Sequence, residues 1–301
     1  MIWSREELHD LQLAGKIAKL TLDQIEAYIK PGISIGALHD TLIKLIQKRG
    51  ADLAFPPNIS LDNCAAHDTA NIDDKRVIPK RGLLKIDIGA NVNGMLSDTA
   101  RTFSTDGKNI RLIKASQEAL DKAIETLKPG IRVCDIGSAV QETIERFGYK
   151  PIANLTGHQL EKARLHAGVS IPSVKAMPFS KRTKIQEGMI LAIEPFATNG
   201  KGPNSGYVDN VGEPLIFSSI GKSRTEVGKI LTQRFELLPF SLRYASQYLI
   251  EQEIKVVNLS QILTQDHFHG YPPLLEKTGG LVSQAEHSVL ITKSGAKILT
   301  E

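Results

Sequence analysis

Two aspartates, Asp87 and Asp98, stand in a stretch that reads as a β-hairpin, residues 83–103. Short apolar runs flank Asn91-Val92-Asn93-Gly94, and Asn-Gly is a strong short-range hairpin signal. A carboxylate inside a buried strand is costly unless a partner offsets its desolvation. If the hairpin is centred between Val92 and Asn93, Asp87 lies directly opposite Asp98. If Asn93-Gly94 form a two-residue turn, Asp87 opposes Ala100 and Asp98 is its diagonal neighbour. Both registers put the two carboxylates on one face, because side chains alternate with period two. Facing carboxylates repel unless they share a proton, as in an aspartic-protease pair, or a cation.

Two more acids sit in apolar β-type runs: Glu194 in Gly188–Phe196 and Glu286 in Ala285–Ile291. Most acids are solvated surface groups, and for any one of these the surface is the simpler explanation. Four in related strand contexts are harder to dismiss. Four converging carboxylates cannot all stay ionised without cations, and two divalent metals about 3.5–4 Å apart, bridged by carboxylates, is the usual solution. An imidazole would complete the set. His158, in Thr156-Gly157-His158, sits where a loop could present it, although a lone histidine is more often a hydrogen-bonding surface group. The same caution holds for His67 and His166. Carboxylates with one imidazole suit Mn, Fe, Co or Zn. No Walker loop, Rossmann glycine pattern, His-Glu-x-x-His or Gly-x-Ser-x-Gly is present.

The elements that must position these residues fall into a repeat. Ser4-Arg5-Glu6-Glu7 is a capping box that starts a long helix, with Leu8, Leu11, Gly15, Ala18, Leu22, Ile25 and Ile29 on one face. Lys30-Pro31-Gly32 ends it, and a second helix runs from about Ile35 to Arg49. Leu53-Ala54-Phe55-Pro56-Pro57 reads as a short strand entering a turn. The pattern then recurs: Lys128-Pro129-Gly130-Ile131 repeats Lys30-Pro31-Gly32-Ile33, with Ile35, Leu38, Leu42, Ile46 and Gly50 matched by Val133, Ile136, Val140, Ile144 and Gly148. Self-similarity of this kind bears on the whole fold. Pseudo-repeats over about 4–106 and 107–301 would place two hairpins face to face across a pseudo-twofold axis. Ninety-two residues separate Glu194 from Glu286, against eleven between Asp87 and Asp98. The surplus, within about 200–270, has helical texture from Arg224 to Leu263 and reads as a helical subdomain.

Composition fits a soluble globular protein: 301 residues, 41% hydrophobic, 23% charged, net charge +4. Lysine and arginine are dispersed, which argues against nucleic acid or membrane as the main partner. Cys64 and Cys134 lack ligand spacing and read as free thiols of a reducing compartment. No apolar run spans a bilayer, and charges near the N-terminus exclude a signal-peptide core there, so a cytoplasmic protein is expected.

The motifs Ala54-Phe55-Pro56, Asn63-Cys64-Ala65-Ala66-His67, Lys85-Ile86-Asp87-Ile88-Gly89, Asp98-Thr99-Ala100-Arg101-Thr102, Gly157-His158, His166-Ala167-Gly168, Ala192-Ile193-Glu194-Pro195-Phe196, Tyr271-Pro272-Pro273-Leu274 and Gln284-Ala285-Glu286-His287 together resemble the type 2 methionine aminopeptidases of the pita-bread superfamily. The likeness runs over nearly the whole chain. The helical insert marks type 2, and the absence of a charged N-terminal extension resembles the short archaeal-style form.

The resemblance implies an α/β (α+β) pita-bread fold, a pseudo-twofold curved antiparallel sheet covered by helices, as one catalytic domain over 1–301. It implies two divalent cations, with Asp87 chelating one, Asp98 and Glu286 bridging both, and His158 and Glu194 on the other. It further implies a metal-bridging hydroxide as nucleophile, Glu194 moving its proton, His166 stabilising the oxyanion and His67 contacting the scissile amide. Phe55, Leu165 and Tyr271 resemble parts of the methionine pocket. The implied substrates are nascent proteins with N-terminal methionine before a small residue; the implied state is a monomer, with the ribosome as a further partner. In one departure, 195–212 lacks the pocket histidine of some type 2 members. A prolidase or aminopeptidase P of the same superfamily is the alternative, but those carry a sizeable domain ahead of the first aspartate. A non-catalytic binding member is weaker still, because all five ligand candidates are present. The aspartic-protease pair has no place for Glu194, Glu286 and His158.

Overall fold

The computed structural model describes residues 3–175 and 183–301. Helix α1 (Arg5–Ile25) begins at the capping box: Ser4 Oγ accepts from Glu7 N at 3.1 Å, and Glu7 Oε2 accepts from Ser4 N at 3.0 Å. It buries Leu11, Ala14, Ala18, Leu22 and Ile25, then tightens into a 3₁₀ turn at Glu26–Tyr28 ahead of the Pro31-Gly32 corner. Helix α2 (Ile35–Lys48) follows, then strand β1 (Asp52–Leu61), β2 (Cys64–Ala66), β3 (Leu83–Val92), β4 (Met95–Leu96) and β5 (Thr99–Ser104). The second passage supplies α3 (Ile110–Thr126), α4 (Val133–Arg146), β6 (Lys150–Pro151), β7 (Thr156–Leu160), β8 (Ser170–Pro172), β9 (Ile190–Ile193) and β10 (Phe196–Thr198). Between Glu194 and Glu286 lie β11 (Val208–Asn210), β12 (Ile216–Ser219), α5 (Glu226–Phe235), β13 (Phe240–Ser241), α6 (Leu242–Glu251), α7 (Leu259–Gln265), β14 (Phe268–Tyr271) and β15 (Leu274–Glu276); β16 (Val282–Ile291) and β17 (Ala296–Ile298) end the chain.

The main antiparallel sheet is ordered β1-β3-β5-β16-β9-β7-β8. Helices α1 and α2 share one core with β1 and β3; α3 and α4 share a second with β9 and β16. The two Pro-Gly corners make matching backbone bonds. Gly32 N donates to Ile78 O at 2.9 Å and Ile78 N to Ile33 O at 2.8 Å; Gly130 N donates to Ile185 O at 2.8 Å and Ile185 N to Ile131 O at 2.9 Å.

The hairpin takes the register set by a two-residue turn. Asn91 pairs with Leu96 and Val92 with Met95, so Asp87 faces Ala100. Asn93 and Gly94 have φ of 51° and 86°, the left-handed pair that a type I′ turn requires. β1 differs from expectation. It does not stop at Pro56-Pro57 but runs through them to Leu61, with register shifts on either side of Phe55. As the edge strand it can lose two N–H donors without breaking the sheet. The segment expected to be helical also carries a small β13-β12-β14 sheet, around which Phe217, Leu231, Phe240, Leu249 and Leu263 form a separate core. No helix among the described residues is long and apolar enough to cross a membrane.

Candidate metal centre

Strand pairing brings the acids together. On β16, Glu286 pairs with Ala100, and on the other side of β5 Ala100 pairs with Asp87. The small Ala100 side chain thus lies in a cross-strand row between two carboxylates. Asp98 precedes β5, just before the strand ladder begins. Glu194 follows the last residue of β9, which lies between β16 and β7, and His158 on β7 pairs with Ala192. His158 Nε2 lies 3.4 Å from Asp98 Oδ2 and 3.6 Å from Glu194 Oε1. One ligand atom each from Asp98, His158 and Glu286 falls within 4.8 Å of the others.

The electrostatics of this cluster are unfavourable without a counter-charge. Asp98 and Glu286 are buried, and the described residues place no lysine or arginine in an ion pair with any of the four acids. Burial pushes the Asp98 carboxyl up to about 7. Burial, and then the repulsion of the neighbouring carboxylates, drive Asp87, Glu194 and Glu286 well above the usual carboxylate range. Gln284 relieves two of them: its Nε2 donates to Asp87 Oδ2 at 3.1 Å and to Glu286 Oε2 at 3.2 Å. Asp87 Oδ1 and Asp98 Oδ1 are buried with no hydrogen-bond partner among the described residues. Oxygen atoms left this way inside a protein ordinarily have a partner, and divalent transition metals or zinc are what carboxylate oxygens and a neutral imidazole together bind. Burial holds His158 down to about 4, so its ring is neutral and offers a lone pair at physiological pH. The donor set therefore fits divalent cations.

Around this floor the fold builds a cavity of about 290 Å³. Its walls include every site residue read from the sequence: Phe55, His67, Asp87, Asp98, His158, Leu165, His166, Glu194, Tyr271 and Glu286. The His166 ring meets the His158 ring edge-on at 4.4 Å between centroids, and His67 meets Tyr271 edge-on at 5.5 Å. Burial holds His67 down to about 4, and the protein around His166, with His158 behind it, lowers that imidazole although one side opens to solvent at the cavity mouth. Both rings are neutral, able to donate or accept. The sequence reading missed Phe196, Ile216 and Pro239, which add to the apolar wall with Leu155 and Val169. Phe196 lies inside the stretch 195–212 that lacks a pocket histidine, and Ile216 follows it. Gln284 was also missed as a functional group, although it stands inside the Gln284-Ala285-Glu286 motif; the signal was its place on the same strand face as Glu286.

Comparison with known proteins bears on this arrangement. Residues 9–293 match the sequence profile of metallopeptidase family M24. The chain is 36% identical over 301 residues to a methionine aminopeptidase of Thermococcus onnurineus, a match covering 98% of this chain and 100% of that one. Its fold is similar to the crystal structure of a methionine aminopeptidase from Thermotoga maritima, with TM-score 0.72 and 23% identity, covering 100% of this chain and 99% of that one. It is also similar to the structure of a thermophilic Arx1, with TM-score 0.80 and 16% identity, covering 99% and 91% of the two chains.

Proposed function

This chain belongs to metallopeptidase family M24, with its mixed α/β pita-bread fold, and from that membership we propose that it is a methionine aminopeptidase, hydrolysing the bond after an N-terminal methionine when the next residue is small. The observation that carries the reading is the joining of a buried carboxylate–imidazole floor to an apolar wall in one cavity. Asp87, Asp98, His158, Glu194 and Glu286 would hold two divalent cations, Co, Mn, Fe or Zn by their donor chemistry. When bound, such cations polarise the scissile carbonyl and make water a competent nucleophile at neutral pH.

The chain's own residues do the rest. The Glu194 carboxylate takes the proton from the attacking water and returns it to the leaving amine. His166, neutral and beside His158, hydrogen-bonds the developing oxyanion. His67, steadied by Tyr271, contacts the scissile amide. Phe55, Leu165 and Tyr271, with Phe196 and Ile216, enclose the methionine side chain and exclude water from it.

The reading extends to the type 2 form, from the inserted α5–α7 segment, and to its short archaeal-style variant, from the match to the whole of the Thermococcus relative. One catalytic domain, 1–301, would hold the pseudo-repeats 4–106 and 107–301 with the insert at about 200–270. It would act as a cytoplasmic monomer on nascent chains, met where they leave the ribosome. The test is hydrolysis of Met-Gly and Xaa-Pro peptides after chelation and metal add-back, with bound metal counted by native mass spectrometry. Met-Gly cleavage restored by metal is expected. Preference for Xaa-Pro, or indifference to chelator, overturns it.

A further inference from the structure

The side chain of Asn58 ties strand β1 to His67, which follows β2 in the cavity wall. Pro56 and Pro57 have no N–H to give a strand ladder, and the β1–β3 register slips between Phe55 and Asn58. The Asn58 amide takes over what the ladder loses. Its Nδ2 donates to Pro56 O at 3.0 Å, and its Oδ1 accepts from His67 N at 2.9 Å. Two bonds run beside it: Ile59 N to Asp68 O at 2.7 Å and Thr69 Oγ1 to Pro57 O at 2.7 Å. Asp68 is gripped in turn by Arg76 Nη1, at 2.9 and 2.7 Å from its two oxygens. His67 lies inside this stitching with φ of 61°, left-handed backbone that a side chain with a Cβ disfavours. Such backbone is uncommon outside glycine, and bonds of this kind hold a residue in it.

We propose that Asn58 is a positioning residue: its bond to the His67 amide fixes that residue left-handed and so presents the imidazole to the cavity beside Tyr271. Asn58 acts through His67 rather than on substrate. It is also the cross-strand partner of Asp87, so an effect through the metal floor is the competing route. The inference rests on the role given above to His67 in methionine removal.

A double-mutant cycle separates the routes. Asn58→Leu, His67→Ala and the double variant are assayed on Met-Gly peptides for kcat and KM, with metal affinity measured by calorimetry. Asn58→Leu is expected to lower kcat roughly 10- to 100-fold, the cost of misplacing a catalytic group by about an ångström, with metal affinity unchanged. The double variant should be no slower than His67→Ala alone, because Asn58 has nothing left to position. Asn58→Asp keeps the acceptor oxygen and should recover most of the Leu variant's loss at saturating metal. Should Asn58→Leu fail to fold, Asn58→Ala takes its place in the cycle. Additive losses, an unchanged rate in the Asn58 variants, or a fall in metal affinity that accounts for the lost rate each overturn the inference. An inactive wild type points instead to failure of the functional reading.

Discussion

The Ser288 hydroxyl clamps the peptide of Asp98 from both sides: it accepts from Asp98 N at 2.7 Å and donates to Asp98 O at 2.8 Å. Asp98 stands just before β5, where the ladder to β3 has lapsed, and the side chain of a fully buried serine replaces that ladder. Ser288 is itself tied to the C-terminal segment, its N donating to Thr300 Oγ1 at 3.2 Å. Ser288→Ala removes the hydroxyl without adding bulk and leaves the buried N–H and C=O of Asp98 unsatisfied, at about 1–3 kcal/mol. Calorimetric titration with Mn or Co should show the variant folded but binding metal roughly 10- to 100-fold more weakly, the usual penalty for losing a group that orients a ligand. Wild-type affinity in that variant would mean that the clamp supports the fold and not the ligand.

The acids were legible because each broke an apolar β pattern, and the hairpin because Asn93-Gly94 admits few alternatives. Its register was not: two pairings satisfied the alternation, and the left-handed φ at Asn93 and Gly94 decides between them. Pro56-Pro57 signalled the end of a strand, and only the edge position of β1 lets the strand continue. Ser288 was invisible as a support, since its bond to Asp98 joins residues 190 positions apart, and the bond of Gln284 to Asp87, across 197 positions, was signalled only through its strand-mate Glu286. No local period records such a bond. Glu276 shows the converse. It is a buried acid in a strand, yet it accepts hydrogen bonds from Gly206 N, Thr278 N, Thr278 Oγ1 and Gly280 N, and so serves the loops and not the metal floor.

Gly89 is a place where the chain tolerates no side chain. A Cβ there would meet Ser97 O, Phe55 Cε1 at 2.5 Å and Ala54 Cβ at 2.8 Å. The carbonyl is backbone and belongs to the residue before Asp98, while Phe55 is part of the apolar wall. Gly89→Ala should therefore cost about 1–3 kcal/mol or more by overpacking, and it should raise KM for methionyl peptides as Phe55 is displaced. Urea denaturation and steady-state kinetics check the two halves. An alanine variant with wild-type midpoint and KM would show that the strand can relax around the methyl.

The helical insert docks on α2 through a buried histidine. His39 is fully buried, with Nδ1 3.1 Å from Asp40 Oδ1 and Nε2 3.4 Å from Ser241 Oγ, and Arg243 of α6 reaches Asp40 at 2.9 and 2.7 Å. Burial holds the imidazole below its ordinary 6.5, against the pull of Asp40. A group lowered in the folded state contributes stability that is present above its unfolded pKa and lost as pH falls below it. Thermal melts of metal-loaded protein should show His39→Asn destabilised at pH 7.5, with the gap to wild type narrowing as the pH falls below about 6.5. A gap that stays constant or widens on acidification would contradict a neutral, buried His39.

Asp98→Asn separates the two things the carboxylate cluster does. In chelated protein, four acids crowd a site that has no lysine or arginine among the described residues, so removing one acid relieves repulsion and the variant should melt at or above the wild-type temperature. The same change removes a ligand that stands 3.4 Å from His158 Nε2. Metal that binds only the folded wild type stabilises it by about 2.7 kcal/mol at one hundred times its dissociation constant. Adding Mn or Co should therefore raise the wild-type melting temperature by several degrees and leave Asp98→Asn nearly unmoved, with Met-Gly hydrolysis abolished in the variant. The order of stabilities should thus invert between chelator and metal. If the variant is the less stable protein in both, Asp98 supports the fold by bonds of its own and the cluster is not a strained site awaiting cations.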